Sequence, residues 1–255
     1  MSVFSNYARY YDLLYRDKDY VCEADYVHRL LQRYAPHTKT ILELGCGTGH
    51  HATLLAQKAY EIHGIDFSQD MLKVANQRLA QMPEELARKL SFTQGDVRNY
   101  RTERCFDAVI SLFHVMSYQT SNTDLHAAFE TAKTHLKPKG VFIFDCWYGP
   151  AVLTEQPSVR IKRLEDDVIR VTRLAEPLMY PNDNQVKVNY DVFVQDKKTG
   201  AVEKTHETHL MRYLFTPEVD GLFAAQDMAR VGAEEWLTGK APGFDTWSVC
   251  FVGGK

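Results

Sequence analysis

Residues 43–49 read E-L-G-C-G-T-G, with glycine at 45, 47 and 49 directly after the apolar start "TIL". Glycine takes positive φ without penalty and leaves no Cβ in the way of a bound group. Where a helix follows such a turn, free N–H groups face the ligand, and a nucleotide-type ligand fits that offer. The dinucleotide spacing is G-x-G-x-x-G, but His50 stands where its third glycine would be, so a nicotinamide dinucleotide fits poorly. A second set of residues suits proton chemistry: His114 and Tyr118, then Asp145, Trp147 and Tyr148. An alcohol or an ammonium must lose a proton before it attacks, and a positioned His or Tyr can take it. Four tyrosines at 7, 10, 11 and 15 form a dense aromatic start that suits a lid.

Elements must place these residues together. From 39 to 146 short apolar strands alternate with helical segments. "TILELG", "EIHGID", "LSFTQGD", "FDAVISLF" and "GVFIFDCW" read as strands. "HATLLAQKA", "SQDMLKVANQRLAQM" with Ser68 as N-cap, and "NTDLHAAFETAKTHL" read as the helices between them. The near-continuous apolar run of the fourth strand suits burial on both faces. Alternation of this kind predicts βαβ units and an α/β fold with a mainly parallel, doubly wound sheet. Near 158 the pattern changes to a run of strands, with Val186, Val188, Tyr190 and Val192 alternating at period two and "KKTG" as a hairpin turn. The spacing therefore predicts a core over 1–157 and 211–255 and an antiparallel β insert over 158–210, placed as a substrate wall or a dimer contact. "TPEVDGLFAAQDMARV" reads as a helix with Thr216 as N-cap and Pro217 at its first position, and "TWSVCFVGG" as a closing strand.

The pattern [DE]-x-G-x-G-x-G at Glu43–Gly49 resembles that of class I S-adenosylmethionine-dependent methyltransferases. The resemblance continues in order along the chain. Asp66 ends the second strand, where that family places an acid on the ribose hydroxyls. "GDV" at Gly95, Asp96 and Val97 stands where the family reads the adenine amino group. "FDAVISLFHVM" resembles the family's fourth strand and the loop under the methionine moiety, and "LKPKGVFIFD" its fifth strand, with Lys139 replacing a glycine. The resemblance implies S-adenosyl-L-methionine as cofactor, S-adenosyl-L-homocysteine as product and a seven-stranded, Rossmann-like sheet. It implies cofactor contacts from Tyr11, Tyr20, Glu43, Gly45, Cys46, Gly47 and Gly49. Further contacts are implied for Asp66, Phe67, Met71, Gly95, Asp96, Val97, Leu112 and Phe113. "YARYYDLLYRDKDY" and "THETHLMRYLFTPEVDGLFAA" look like bacterial sugar N,N-dimethyltransferases, which act on nucleotide-linked amino-deoxysugars. Those carry a histidine in the loop after strand four where this chain has Tyr118.

Methyl transfer from a sulfonium needs the nucleophile, carbon and sulfur held in line. His114 and Tyr118 are the candidate bases. Tyr7, Tyr15, Trp147, Tyr148 and Arg212 are the candidate substrate contacts, with Arg212 suited to a phosphate or carboxylate. The expected reaction is methylation of N or O on a small polar metabolite, a sugar or sugar nucleotide among the candidates. The alternatives are an RNA or protein methyltransferase, or a cofactor-binding protein without catalysis. A net charge of −3 argues against a general nucleic-acid binder. The five cysteines are dispersed and odd in number, the N-terminus shows no signal-peptide run, and no apolar stretch approaches a membrane span. A cytoplasmic protein, with a homodimer left open, is the expectation. No metal is expected. His50 and His51 are adjacent and do not share a helix face, and His206 and His209 fall on opposite sides of a strand.

Overall fold

The computed structural model describes residues 13–255. Tyr7, Tyr10 and Tyr11 of the expected aromatic lid lie outside the described residues. The first half of the chain runs α1 (Tyr20–Tyr34), β1 (Thr40–Leu44), α2 (His50–Gln57), β2 (Glu61–Asp66), α3 (Gln69–Ala80), a short α4 (Glu84–Ala87) and β3 (Leu90–Gln94). There follow β4 (Phe106–Ser111), a 3-10 turn (Val115–Tyr118), α5 (Asn122–His135), β5 (Leu136–Tyr148) and α6 (Gly149–Thr154). The remainder is β6 (Arg160–Glu165), β7 (Ile169–Tyr180), β8 (Gln185–Asp196), β9 (Val202–Leu214), α7 (Thr216–Ala224), β10 (Ala229–Glu235) and β11 (Ser248–Gly254).

Seven strands lie side by side as β3-β2-β1-β4-β5-β11-β10, and β11 alone runs antiparallel to its neighbours. This is the doubly wound α/β sheet that the alternating pattern predicts. The order reverses between β1 and β4, so a crevice opens at the carboxyl ends of those strands. Local signals explain the placement. Ser68 Oγ accepts the N–H of Met71 and starts α3, while Ser121 does the same for Asp124 at α5. β4 is buried along nearly its whole length, as its unbroken apolar run requires.

Each face of the sheet carries its own packed layer. On one side Phe129 of α5 meets Phe142 and Phe144 of β5 and Phe223 of α7, all edge-to-face with centroids 5.2–5.4 Å apart. Truncating Phe129 to Ala would cost about 3–5 kcal/mol of stability, through lost transfer energy and the cavity left behind. On the other side Leu30 and Leu31 of α1 and Leu55 of α2 cover Ile41, Ile62 and Ile110.

Three expectations need correction. First, β6–β9 form an antiparallel four-stranded unit, yet it is not separate. Trp147 and Tyr148 of β5 pair in parallel with Tyr213 and Leu214 of β9, so the described ladder runs on to eleven strands. Second, β9 continues to Leu214 because its last residues, Tyr213 and Leu214, are fully buried against the core. Third, the helix after the insert ends at Ala224 and its cap position is Phe215, whose N–H donates to the Glu218 carboxylate at 3.4 Å. Asp227 takes a positive φ of 50° and turns the chain, so "ARV" belongs to β10 rather than to the helix.

Candidate active site

The glycine turn sits between β1 and α2 at the crevice. Gly45, Gly47 and Gly49 have φ of 78°, 54° and 75°, all in the left-handed region. Their reasons differ. A Cβ on Gly45 would fall 2.6 Å from Val115, and one on Gly49 would fall 2.8 Å from Phe92. A Cβ on Gly47 would meet nothing within 4 Å and would stand in open space. The first and third glycines let neighbouring elements close up. The middle one leaves a cradle that a methyl group would fill. Asp66 at the end of β2 ties the turn down, since its carboxylate accepts the N–H of Gly47 and of Ser68, each at 2.8 Å. Burial pushes the Asp66 pKa up, against those two hydrogen bonds. Beneath the turn Glu43 is 1% exposed. Burial, and then the charge on Asp66, raise its pKa to about 8. Its Oε2 has no hydrogen-bond partner among the described residues.

A cavity of about 530 Å³ opens over this turn. Gly45, Cys46, Gly47, Asp66, Phe67 and Met71 form one end of it. Asp96, Val97, Leu112 and Phe113 continue the wall past β3 and β4. His114, Tyr118, Trp147, Tyr15 and Tyr20 complete the set that the structure brings together. Five expected residues do not line the cavity. Gly49 and Gly95 back onto Phe92 and onto Tyr100 and Ile65, and Glu43 lies under the turn. Tyr148 has its hydroxyl 3.2 Å from Thr216 Oγ1 and packs against the α5–α7 layer. Arg212 is 8% exposed, and its guanidinium donates to Asn122 Oδ1 at 2.7 Å, to Thr120 O and to the Glu218 carboxylate. It is a buried strut between β9, α5 and α7 rather than an anchor in the cavity. Tyr7 and Tyr11 are not among the described residues.

The polar groups in the cavity fall into small networks. Asp96 is gripped by Arg98, with Nη2 donating to Oδ2 at 2.6 Å and Nε to Oδ1 at 2.9 Å, and this holds its carboxyl below the usual range. His114 takes φ of 64°, next to Phe113 at 65°, and the turn is held by Asp145. His114 Nδ1 lies 2.7 Å from Asp145 Oδ2, within ion-pair range but out of line for a hydrogen bond. Just before α1, the Lys18 ammonium pairs with Glu23 and lies over the rings of Tyr20 at 4.8 Å and Phe113 at 4.4 Å. His51 Nε2 is 2.7 Å from the same Glu23. Burial pushes Glu23 up, but His51 and Lys18 outweigh it and hold the carboxyl at about 2.

Three residues of β8 and β9 that were not named as site residues from the sequence also line the cavity: Tyr190 of β8 and His209 and Met211 of β9. Tyr118 Oη lies 2.7 Å from His209 Nδ1, and His209 Nε2 lies 3.4 Å from Glu207 Oε2. Tyr190 meets His209 edge-on, with centroids 5.0 Å apart. The signal was present as period-two burial: Glu207, His209 and Met211 share the inward face of β9, and two of the three are polar. Thr48, His50, His51, Arg98, Val115 and Gln119 also border the cavity.

The cavity's donor set suits S-adenosylmethionine. It combines an open glycine cradle, a carboxylate at the end of β2 and apolar walls at Val97 and Leu112. A methyltransferase domain model matches residues 41–140, which span β1 to the start of β5. The dTDP-3-amino-3,4,6-trideoxy-alpha-D-glucopyranose N,N-dimethyltransferase of Streptomyces venezuelae is 29% identical over 222 residues, 86% of this chain and 89% of that protein. The dTDP-3-amino-3,6-dideoxy-alpha-D-glucopyranose N,N-dimethyltransferase of Streptomyces fradiae is 29% identical over 205 residues, 80% of this chain and 77% of its own length. The crystal structure of Streptomyces venezuelae DesVI matches with a TM-score of 0.80 at 27% identity, covering 96% of this chain and 97% of that one. Residues 41–140 thus match a methyltransferase domain, and over most of its length the chain is similar to bacterial sugar N,N-dimethyltransferases.

Proposed function

We propose that the chain methylates the amino group of a nucleotide-linked amino-deoxysugar. One observation carries this reading: a single aromatic cavity joins the glycine turn at one end to Tyr118 and His209 at the other. Its volume of about 530 Å³ is that of a small-molecule site rather than of an extended basic groove for RNA or protein. The two sugar-modifying relatives support the choice of amine.

Bound S-adenosylmethionine supplies a methyl carbon on a sulfonium. The chain's own residues do the rest. Gly47 and Asp66 are placed to hold the nucleoside end, and Leu112 and Phe113 to line the methionine end. Tyr15, Tyr118, Trp147 and Tyr190 wall the acceptor side, exclude water and fix the amine in line, which supplies much of the rate. The insert β6–β9 thus belongs to the substrate site. Its edge strand β6, which pairs with β7 alone among the described strands, offers a ladder for a homodimer contact.

The test is incubation with methyl-labelled S-adenosylmethionine and dTDP-3-amino-3,6-dideoxyglucose, followed by mass spectrometry. One or two methyl groups on the sugar nitrogen are expected. Label entering RNA or protein, with none on the amino sugar, overturns the reading.

A further inference from the structure

We infer, on the reading just given, that Trp247, held by Glu155, is the positioning residue for Trp147 and sets the acceptor wall of the cavity. Trp147, next to last in β5, borders the cavity and meets His114 edge-on with centroids 6.4 Å apart. Its backbone is fixed. The N–H donates to Ser117 Oγ at 3.0 Å, and the residue pairs with Tyr213 of β9 and Ser248 of β11. The indole is only half-buried, so a fixed backbone does not by itself fix the tilt of the ring. A second indole does. Trp247, at the end of the β10–β11 loop over 236–247, meets Trp147 with centroids 5.9 Å apart and planes at 81°. That is the edge-to-face arrangement that ring quadrupoles favour. Trp247 does not border the cavity, so it reaches an acceptor only through Trp147.

The chain closes a ring around this pair. Trp247 Nε1–H donates to Glu155 Oε2 at 3.0 Å. An indole has one polar hydrogen, so this bond fixes how the ring is turned in its own plane. Glu155 caps the end of α6, with its N–H on Ala151 O at 2.8 Å, and α6 follows directly on Trp147 and Tyr148. The main chain closes the ring again, since Tyr148 N–H donates to Trp247 O at 3.1 Å. The loop ahead of Trp247 is compact: Gly243 N–H donates to Thr246 Oγ1 at 2.9 Å, and Thr154 Oγ1 lies 2.6 Å from Phe244 O. Both tryptophans rest on one buried cluster of Val152, Val186, Val188 and Tyr213. Loop, α6 and insert therefore meet behind one indole. A wall held in this way keeps the acceptor nitrogen in line with the methyl carbon, where a shift of about 1 Å costs on the order of 100-fold in rate. The cofactor end of the cavity is built on β1–β4, so the effect falls on the acceptor.

Two measurements test the inference. The first needs no acceptor. The chain holds three tryptophans, so fluorotryptophan labelling gives three fluorine resonances, assigned by single replacements with Phe. Trp236 packs on Tyr26 and donates to Glu23, and it serves as the internal reference. Glu155→Leu should move the Trp247 and Trp147 resonances and leave Trp236 in place. A Trp147 resonance that stays in place overturns the inference. The second measurement uses dTDP-3-amino-3,6-dideoxyglucose. Glu155→Leu and Trp247→Phe remove the same hydrogen bond, so each should raise the KM for the amino sugar about two- to fivefold. The double variant should raise it no further than either alone. Glu155→Gln keeps an oxygen for the indole N–H and should restore most of the affinity. The Kd for S-adenosylhomocysteine should stay constant throughout. A lowered Tm with unchanged KM shows Trp247 to be a packing residue and overturns the inference, as does a loss of cofactor affinity equal to the rise in KM. A wild-type protein that leaves this amine unmethylated overturns the amino-sugar reading instead, and the fluorine spectra still decide the link between the two tryptophans.

Discussion

Gly47→Ala separates the fold of the glycine turn from its use. Gly47 has φ of 54° and open space where a Cβ would stand. Alanine there would bear only the left-handed backbone penalty, about 1–2 kcal/mol. For a domain of this size that lowers Tm by roughly 2–8 °C, from about 2–4 °C per kcal/mol. The new methyl group would protrude into the cavity that Gly47 lines, so cofactor affinity should fall at least about tenfold, or about 1.4 kcal/mol. A matched control exists in the same chain. Gly200, in the β8–β9 turn, has φ of 75° and likewise nothing within 4 Å of a Cβ, and it does not border the cavity. Gly200→Ala should show a Tm loss of similar size and unchanged affinity for S-adenosylhomocysteine. Differential scanning calorimetry and isothermal titration calorimetry on the two variants make the comparison. Equal affinities in both variants would refute the placement of the cofactor on this turn.

Other positions give sharper single readouts. Asp66→Ala should weaken S-adenosylmethionine binding by about 1.5–3 kcal/mol, the value of a charge-assisted hydrogen bond, as read by calorimetry. Unchanged affinity would remove Asp66 from the site. Tyr118→Phe should lower kcat with little change in cofactor Kd, because its hydroxyl faces the acceptor side; an equal loss in both would make it a packing residue. Arg212→Met should lower stability by about 1–3 kcal/mol, leaving Asn122 and the half-buried Glu218 carboxylate without their partner, as read by denaturant melts. A normal melt with a raised KM would restore Arg212 as a substrate anchor.

The turn was legible because nothing else replaces its residue types. Three glycines on alternate positions before a helix allow few conformations, and an acid ending the next strand has a clear electrostatic use. Ser68 was legible for the same local reason, as a cap read within four residues. What escaped the sequence was set by distant neighbours. Arg212 points away from the cavity because Asn122 and Thr120, 90 and 92 positions off, receive its guanidinium. His209 gains its place from Tyr118, which a strand-by-strand reading cannot see. Asp227, in the turn after α7, takes a positive φ that few non-glycine residues adopt, so β10 was hidden inside a helical pattern. The pairing of Trp147 and Tyr148 with β9 depends on the insert folding back over β5, a tertiary event without a local signature.

The most direct measurement is a crystal structure with S-adenosylhomocysteine and dTDP-3-amino-3,6-dideoxyglucose bound together. The cofactor should lie over Gly47 with its ribose toward Asp66. The sugar nitrogen should sit between the thioether sulfur and Tyr118 Oη, within hydrogen-bond reach of that hydroxyl and backed by His209. A sugar nitrogen turned away from the sulfur, or an amino sugar bound outside the cavity between the glycine turn and β9, would contradict the joining of cofactor and acceptor in this one site.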